Sequence, residues 1–382
     1  MFLSEEDLLE LVQFRHELHR YPEISGEEHE TARRVVAFLA PLQPDRIVTG
    51  LGGAGVAVVF ETEKTGPTLM FRCELDALPI AETRDSDHRS LLAGKGHMCG
   101  HDGHITMISA FARGLARQRP SRGRVVLLFQ PAEETGAGAL AVLEDPAFES
   151  IRPDFSFSLH NTPGMPLGQV DIADGPVNCA SRGMCIRLSG RTAHASTPRS
   201  GRSPMMAVAA LMPALAALSA DAAMGPQFAM VTLTHANLGE PTFGVAPGNA
   251  EVWATLRTLT DARMEQLRTA AETVAGNIAQ AEGLELSIEY HDIFPHCENS
   301  PEAVECLSRA LSAEGVPFGP GRLPMLGSED FGRFRSVGPS AMFFLGSGLD
   351  CPALHSPDYD FPDDLIGIGA LIFMRVVRDM LG

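Results

Sequence analysis

The sequence is poor in basic side chains and lacks any long apolar run. It carries 30 Lys and Arg against 48 Asp and Glu, a formal net charge of −18. This balance argues against a nucleic-acid partner, because a phosphate backbone requires a basic protein face. No segment approaches the roughly 18 apolar residues of a membrane span, and residues 1–7 lack the basic start and apolar core of a signal peptide. We therefore expect no nucleic-acid or membrane partner.

Cysteine is also scarce, with seven residues scattered over 382 positions. An odd number of dispersed thiols argues against a disulfide framework and favours a reduced, cytoplasmic protein. The length exceeds that of a single compact core and predicts two domains. The apolar content of 45% and charged content of 20% are typical of a globular protein.

Residues 94–104 combine three His, one Cys, one Asp and four Gly. Thiolate, imidazole and carboxylate groups are the donors of zinc, manganese, nickel and cobalt sites. Cys99 and His101 would share a face of an extended segment, whereas His101 and His104 would share a face of a helix. A lone Cys or His is more often a packed core residue, but this density favours a metal site. Its remaining ligands must come from elsewhere, since catalytic sites use at least three protein donors.

Four further segments are nearly all apolar and predict buried strands, each followed or ended by polar groups. Open α/β sheets place their ligands beyond the carboxyl ends of such strands, so these groups predict a single crevice. The segments and groups are 68–72 with Asp76, 125–129 with Glu133 and Glu134, 154–160 with His160, and 341–345 with His355.

Glu133 and Glu134 are neighbours, so their side chains leave the backbone in different directions. One carboxylate can therefore bind a metal while the other faces a water molecule. The alternative is a solvated acidic pair on the surface.

The order of predicted elements indicates an α/β fold with two parts. Strands alternating with helices favour a mostly parallel sheet, which we assign to a catalytic domain of residues 1–179 and 292–382. Residues 180–291 follow the order β-α-β-β-α-β, which is typical of a ferredoxin-like (α+β) sandwich. We interpret them as an inserted lid and dimerisation domain.

These segments resemble the aminoacylase and glutamate-carboxypeptidase family of dinuclear metallopeptidases. Within that family they are similar to the amidohydrolase branch, which holds N-acyl-amino-acid amidohydrolases and hippurate hydrolases. The resemblance spans nearly the whole chain. It rests on residues 71–79, 99–104, 129–134, 159–161, 327–331 and 354–357.

The resemblance implies two divalent metal ions (Mn, Zn, Ni or Co) and a role for each site residue. Glu133 would be the general base and Asp76 would orient a ligand, unless Asp76 only caps a strand end. His194 would reach the reaction centre after domain closure, often across a dimer interface, and bind the oxyanion, unless it is an exposed loop residue. The implied metal ligands are Cys99, His101, Glu134, His160 and His355.

Arg257 could bind a substrate carboxylate through two hydrogen bonds, or be a surface residue. Three positions depart from the pattern of the branch: Gly244 stands where Asn is usual, Glu74 where Asp is common, and Thr162 where an aromatic residue is frequent. Because every implied metal ligand is present, we interpret these departures as signs of altered substrate choice.

The resulting expectation is a metal-dependent enzyme that hydrolyses the amide bond of N-acyl-amino acids, small substrates of the N-acetyl or aromatic-acyl type. One alternative is a dipeptidase or aminopeptidase on the same scaffold. Another is a non-catalytic homologue that binds a metal or ligand. A homodimer is expected from family likeness alone.

Overall fold

The structure is a computed structural model that describes residues 3–220 and 223–382. Met1 and Phe2, which belong to the N-terminal segment considered above, lie outside the described residues. The chain divides into two compact units. The catalytic unit contains residues 1–177, 298–323 and 330–382, and the inserted unit contains residues 178–297 and 324–329.

The described residues form eight α-helices and sixteen strands, numbered here in chain order. The helices are α1 (Glu5–Arg20), α2 (His29–Leu39), α3 (His101–Arg117), α4 (Gly138–Glu144), α5 (Met205–Ala216), α6 (Asp261–Ala281), α7 (Pro301–Glu314) and α8 (Leu365–Leu381). The strands are β1 (Arg46–Leu51), β2 (Gly55–Glu61), β3 (Thr68–Glu74), β4 (Arg124–Gln130), β5 (Phe155–Thr162), β6 (Val170–Asp171), β7 (Gly175–Asn178), β8 (Ala180–Ser189), β9 (Ala193–His194), β10 (Ala229–Leu238), β11 (Val245–Ala246), β12 (Asn249–Thr258), β13 (Glu285–Phe294), β14 (Cys297–Asn299), β15 (Phe318–Gly319) and β16 (Ser340–Gly346).

The catalytic unit is built on an eight-stranded sheet with the order β1-β2-β4-β3-β5-β16-β6-β15. The four central strands β4, β3, β5 and β16 run parallel to one another. All seven residues of β3 and of β16 are buried, as their apolar sequences predict. The α/β class is therefore confirmed, and the carboxyl ends of four neighbouring strands meet at one edge of the sheet.

The helices of this unit are fixed by local signals and by the core. α1 begins with a capping box: the Ser4 side chain accepts a hydrogen bond from the Asp7 N–H, and the Asp7 carboxylate accepts one from the Ser4 N–H. α3 is buried along most of its length and packs against α1, α8 and β3. The N-terminus of α3, which carries His101, is therefore held in the core. No helix of the described residues has the length and apolar character needed to cross a membrane.

The inserted unit contains a four-stranded antiparallel sheet with the order β10-β12-β8-β13. Helices α5 and α6 pack on it around a separate apolar core. The chain order β8-α5-β10-β12-α6-β13 is the predicted ferredoxin-like arrangement. Residues 178–179, 292–297 and 324–329, assigned to the catalytic domain from sequence, group with this unit instead. Arg257 accounts for part of this, because it donates to Leu326 and Ser328.

Candidate metal centre

The Cys/His segment reaches the sheet edge through a tight turn into α3. Gly100 lies just before the helix at φ 88°, a left-handed conformation that favours glycine. A Cβ atom there would lie 2.6 Å from the Asn161 side chain, and one at Gly103 would lie 2.3 Å from the Phe361 ring. Both glycines are thus required by close packing, which brings His101 against the strand ends.

The five predicted metal ligands lie together at the carboxyl edge of the parallel strands. Cys99, His101 and His160 form one group whose potential ligand atoms all lie within 4.8 Å, and Cys99, Glu134 and His355 form another. Within these groups Cys99 Sγ lies 3.4 Å from His160 Nε2, and His355 Nε2 lies 3.6 Å from Glu134 Oε2. The shared Cys99 indicates two adjacent cation positions.

Two of the histidines are oriented by backbone carbonyl groups. His101 donates its Nδ1–H to the Asp76 carbonyl oxygen at 2.8 Å, and His160 donates its Nδ1–H to the Asn161 carbonyl oxygen at 2.7 Å. Such bonds leave Nε2 as the ligand atom. His101 Nε2 is buried and has no hydrogen-bond partner among the described residues, yet it lies 3.9 Å from a Glu134 carboxylate oxygen. A cation between them would satisfy both groups.

The electrostatics of the cluster also favour positive charge. Burial lowers the pKa of His101, but the hydrogen bond to Asp76 and the charges of Glu74 and Glu134 outweigh it and raise that pKa to about 10. Burial and then the charges of Glu134 and Glu133 raise the pKa of the Cys99 thiol. Both residues therefore hold protons that a divalent cation would replace. The donor set fits a transition metal ion.

Asp76 lies behind His101 and also contacts the segment that carries the two glutamates. One of its carboxylate oxygens lies 3.4 Å from His101 Nδ1. The other accepts hydrogen bonds from Ser25 Oγ at 2.7 Å and from the Glu134 backbone N–H at 2.9 Å. These contacts suit the orienting role that the resemblance implied, which stays a prediction.

We expect Asp76→Asn to weaken metal affinity about 10- to 100-fold, because residues that orient metal ligands typically contribute that much. Competition with a chromogenic chelator would measure the dissociation constant. Thr31→Val, which changes a buried residue of the same unit in helix α2, serves as the control. Equal affinities for the Asp76→Asn variant and the wild type would leave Asp76 as a strand-end cap.

Glu133 and His355 border the cluster in different ways. Glu133 is almost fully buried, and its carboxylate lies 4.0 Å from His101 Nε2. His355 has a left-handed backbone (φ 64°), and its N–H donates to the Met98 carbonyl oxygen at 2.7 Å. The His355 side chain keeps 52% of its surface exposed, so the cluster is open to solvent on its side.

His194 and Arg257 belong to the inserted unit, and their roles stay predictions. His194 lies in β9, which pairs with β11, and is exposed, with Nδ1 accepting from the Ser196 N–H at 3.1 Å. Arg257 Nη1 donates to the Leu326 carbonyl oxygen and to Ser328 Oγ, each at 2.7 Å. Arg257 is therefore already engaged within its own unit.

A buried chain of polar side chains, not predicted from the sequence, lies beneath the cluster. Arg72 forms an ion pair with Glu74 and donates to Asp330 at 2.6 Å. Glu74 accepts from His104 Nδ1 at 2.7 Å, and His104 Nε2 accepts from the Asn161 backbone N–H at 3.1 Å. His104 is thus turned away from a ligand role. The available signal was an Arg within an apolar strand, because a buried charge requires partners.

The site places thiolate, imidazole and carboxylate donors at the ends of parallel strands, and the buried Glu133 carboxylate lies beside them. This arrangement is that of dinuclear metal-dependent hydrolases. The comparisons with known proteins agree. The chain belongs to peptidase family M20/M25/M40, whose model matches residues 70–379. It is accordingly an amidohydrolase of that family.

Similar proteins are known by sequence and by structure. The hippurate hydrolase of Campylobacter jejuni is 29% identical over 376 residues, 97% of each chain. The N-acetyl-L-cysteine deacetylase of Bacillus subtilis is 31% identical, covering 89% of this chain and 81% of that protein. A Bacillus subtilis protein described as a dinuclear metal binding peptidase from the M20 family superposes with a TM-score of 0.82 at 25% identity, covering 99% of both chains.

Proposed function

We propose that the protein hydrolyses the amide bond of N-acyl-amino acids, releasing a carboxylic acid and an amino acid. The observation that carries this proposal is the pair of neighbouring carboxylates: Glu133 and Glu134 both lie within reach of His101, and Glu134 also lies with Cys99 and His355, whereas Glu133 is almost fully buried. Two relatives are named for hydrolysis of hippurate and deacetylation of N-acetyl-L-cysteine, both N-acylated amino acids.

Each proposed residue has a defined chemical task. Two divalent cations held by Cys99, His101, Glu134, His160 and His355 would lower the pKa of a bound water from about 15.7 towards 7 and polarise the amide carbonyl. Glu133 accepts the proton of the attacking water on its carboxylate and then delivers it to the nitrogen of the leaving amine. This transfer requires Glu133 to remain outside the ligand set.

A substrate panel tests the proposal. Purified protein loaded with each of Zn²⁺, Mn²⁺, Ni²⁺ and Co²⁺ is assayed with hippurate, N-acetyl-amino acids and dipeptides that carry a free α-amino group. We expect the highest kcat/KM for the acylated amino acids with at least one metal. A preference for dipeptides would favour a peptidase on the same scaffold, and no turnover with two metals bound would favour a binding protein.

We propose that His194 donates a hydrogen bond to the oxyanion that forms during hydrolysis. Its exposure on the inserted unit leaves the imidazole accessible. Removal of one oxyanion donor costs about 10²–10³ in kcat, so His194→Ala should lower kcat by that factor with KM nearly unchanged. His291, also an exposed histidine of this unit, provides the control His291→Ala. Equal losses in the two variants, or none in either, would remove His194 from the mechanism.

The proposal also includes a homodimer in a reducing, cytoplasmic environment. All seven cysteines are free thiols and six of them are buried, which supports a compartment without disulfide formation. Light scattering coupled to size-exclusion chromatography would give the mass in solution. A dimer has twice the monomer mass of 40.9 kDa.

A further inference from the structure

The turn that carries the two glutamates contains a strained residue. Ala132, immediately before Glu133, has φ 50°, in the left-handed region that residues with a Cβ rarely adopt. Such a conformation persists only where surrounding contacts impose it. The backbone N–H of Ala132 donates to Glu28 Oε1 at 2.7 Å, and Glu28 is fully buried. A distant carboxylate thus contacts the strained peptide directly.

The backbone after Glu133 is also held in place, through Asp76 and Ser25. The Glu134 N–H donates to Asp76 Oδ2 at 2.9 Å, and the same oxygen accepts from Ser25 Oγ at 2.7 Å. Ser25 lies three residues before Glu28. Residues 25–28 therefore reach the backbone on both sides of Glu133, directly through Glu28 and through Asp76 from Ser25.

Residues 25–28 are themselves well anchored. Ile24 forms a parallel bridge with Ala77, whose N–H donates to the Glu23 carbonyl oxygen at 2.8 Å. Helix α2 starts directly after Glu28, and Thr31 in its first turn donates to the Glu23 carboxylate. The segment is thus fixed both to the chain that follows β3 and to a helix, and can serve as a rigid support.

We propose that Glu28 is a positioning residue that holds Ala132 in its left-handed conformation and thereby aims Glu133 at the reacting water and Glu134 at the metal. The catalytic part of this inference rests on the proposed function. Without the Glu28 acceptor, the Ala132 N–H loses its partner and Ala132 relaxes towards negative φ, so both carboxylates leave their places. Displacements of about 1 Å cost on the order of 100-fold in rate.

The experiment compares Glu28→Ala, Glu28→Gln and Val35→Ala. Gln retains an oxygen that can accept the Ala132 N–H, whereas Ala does not. Val35→Ala removes buried apolar volume from helix α2 and leaves the hydrogen bonds of Glu23 and Glu28 intact, so it controls for lost stability. The readouts are the dissociation constant for Zn²⁺ by chelator competition, kcat and KM for hippurate at saturating metal, and thermal unfolding.

We expect Glu28→Ala to weaken Zn²⁺ binding about tenfold or more and to lower kcat about 10- to 100-fold with little change in KM. Glu28→Gln should stay within about threefold of wild type in both, and Ala132→Gly placed in the Glu28→Ala background should restore part of kcat because glycine adopts positive φ without strain. Wild-type metal affinity in Glu28→Ala, or losses matched by Val35→Ala, would overturn the inference. A wild-type protein that binds two metals but lacks turnover would instead overturn the proposed function, and the metal-affinity comparison would still decide the role of Glu28.

Discussion

Glu133→Gln is expected to slow hydrolysis of an N-acyl-amino acid by about 10²–10⁴ while leaving the metal content unchanged. The amide keeps the shape of the carboxylate but cannot accept a proton at neutral pH. Glu133 lies beside the ligand cluster and is almost fully buried, which suits a group that exchanges protons with a water molecule there. Steady-state kinetics and elemental analysis of the same preparation would measure both quantities.

The matched control is the neighbouring substitution, Glu134→Gln. Its carboxylate oxygens lie 3.6 Å from His355 Nε2 and 3.9 Å from His101 Nε2, so this variant should lose metal as well as activity. The two adjacent glutamates would thus separate catalysis from metal binding. A Glu133→Gln variant with a near-normal rate, or one that lost metal as Glu134→Gln does, would reassign the general base.

Removal of the metal ions is expected to abolish activity, because water at its ordinary pKa of about 15.7 supplies almost no hydroxide at neutral pH. Dialysis against a chelator, followed by addition of Zn²⁺, Mn²⁺, Ni²⁺ or Co²⁺ in turn, would measure the loss and its recovery. Binding should release protons, since Cys99 and His101 hold them in the absence of a cation. The affinity should therefore fall as the pH is lowered.

The control for metal removal is a measurement showing that the protein remains folded without metal. The sheet and its helices rest on an extensive apolar core, so far-ultraviolet circular dichroism should show that the chelated protein keeps its secondary structure. Recovery of activity with at least one of the four metals would complete the test. Full activity after exhaustive chelation would contradict a metal-dependent mechanism.

Much of the fold was predictable because its signals are local. The sequence of residues 261–281 predicts a helix, and α6 has those bounds, Asp261–Ala281. The buried strands β3, β4 and β16 follow from continuous apolar runs. The apolar residues of 52–60 predict a strand, and β2 confirms it from Gly55 onward; its first three residues instead form a turn after β1, which ends at Leu51. β1 was missed because half-exposed residues and Gly50 give it little periodicity.

The candidate site was also predictable only in part. Each donor residue could be recognised by its position at the end of a predicted strand. The topology of a parallel sheet then brings neighbouring carboxyl ends together, so a shared site could be predicted. Their support could not be recognised, since the contact between Glu28 and Ala132 joins residues 104 positions apart. The positive φ of Ala132 also leaves no sequence signal, because alanine rarely adopts it.

A crystal structure with anomalous diffraction measured at the metal absorption edge would test the central claim most directly. We expect two peaks about 3.5–4 Å apart, the spacing of two-metal hydrolytic sites. Cys99, His101, Glu134, His160 and His355 should be the protein ligands, with the Glu133 carboxylate directed at the water between the ions. A single peak at full occupancy, ions bound elsewhere, or Glu133 coordinated to a metal would contradict it.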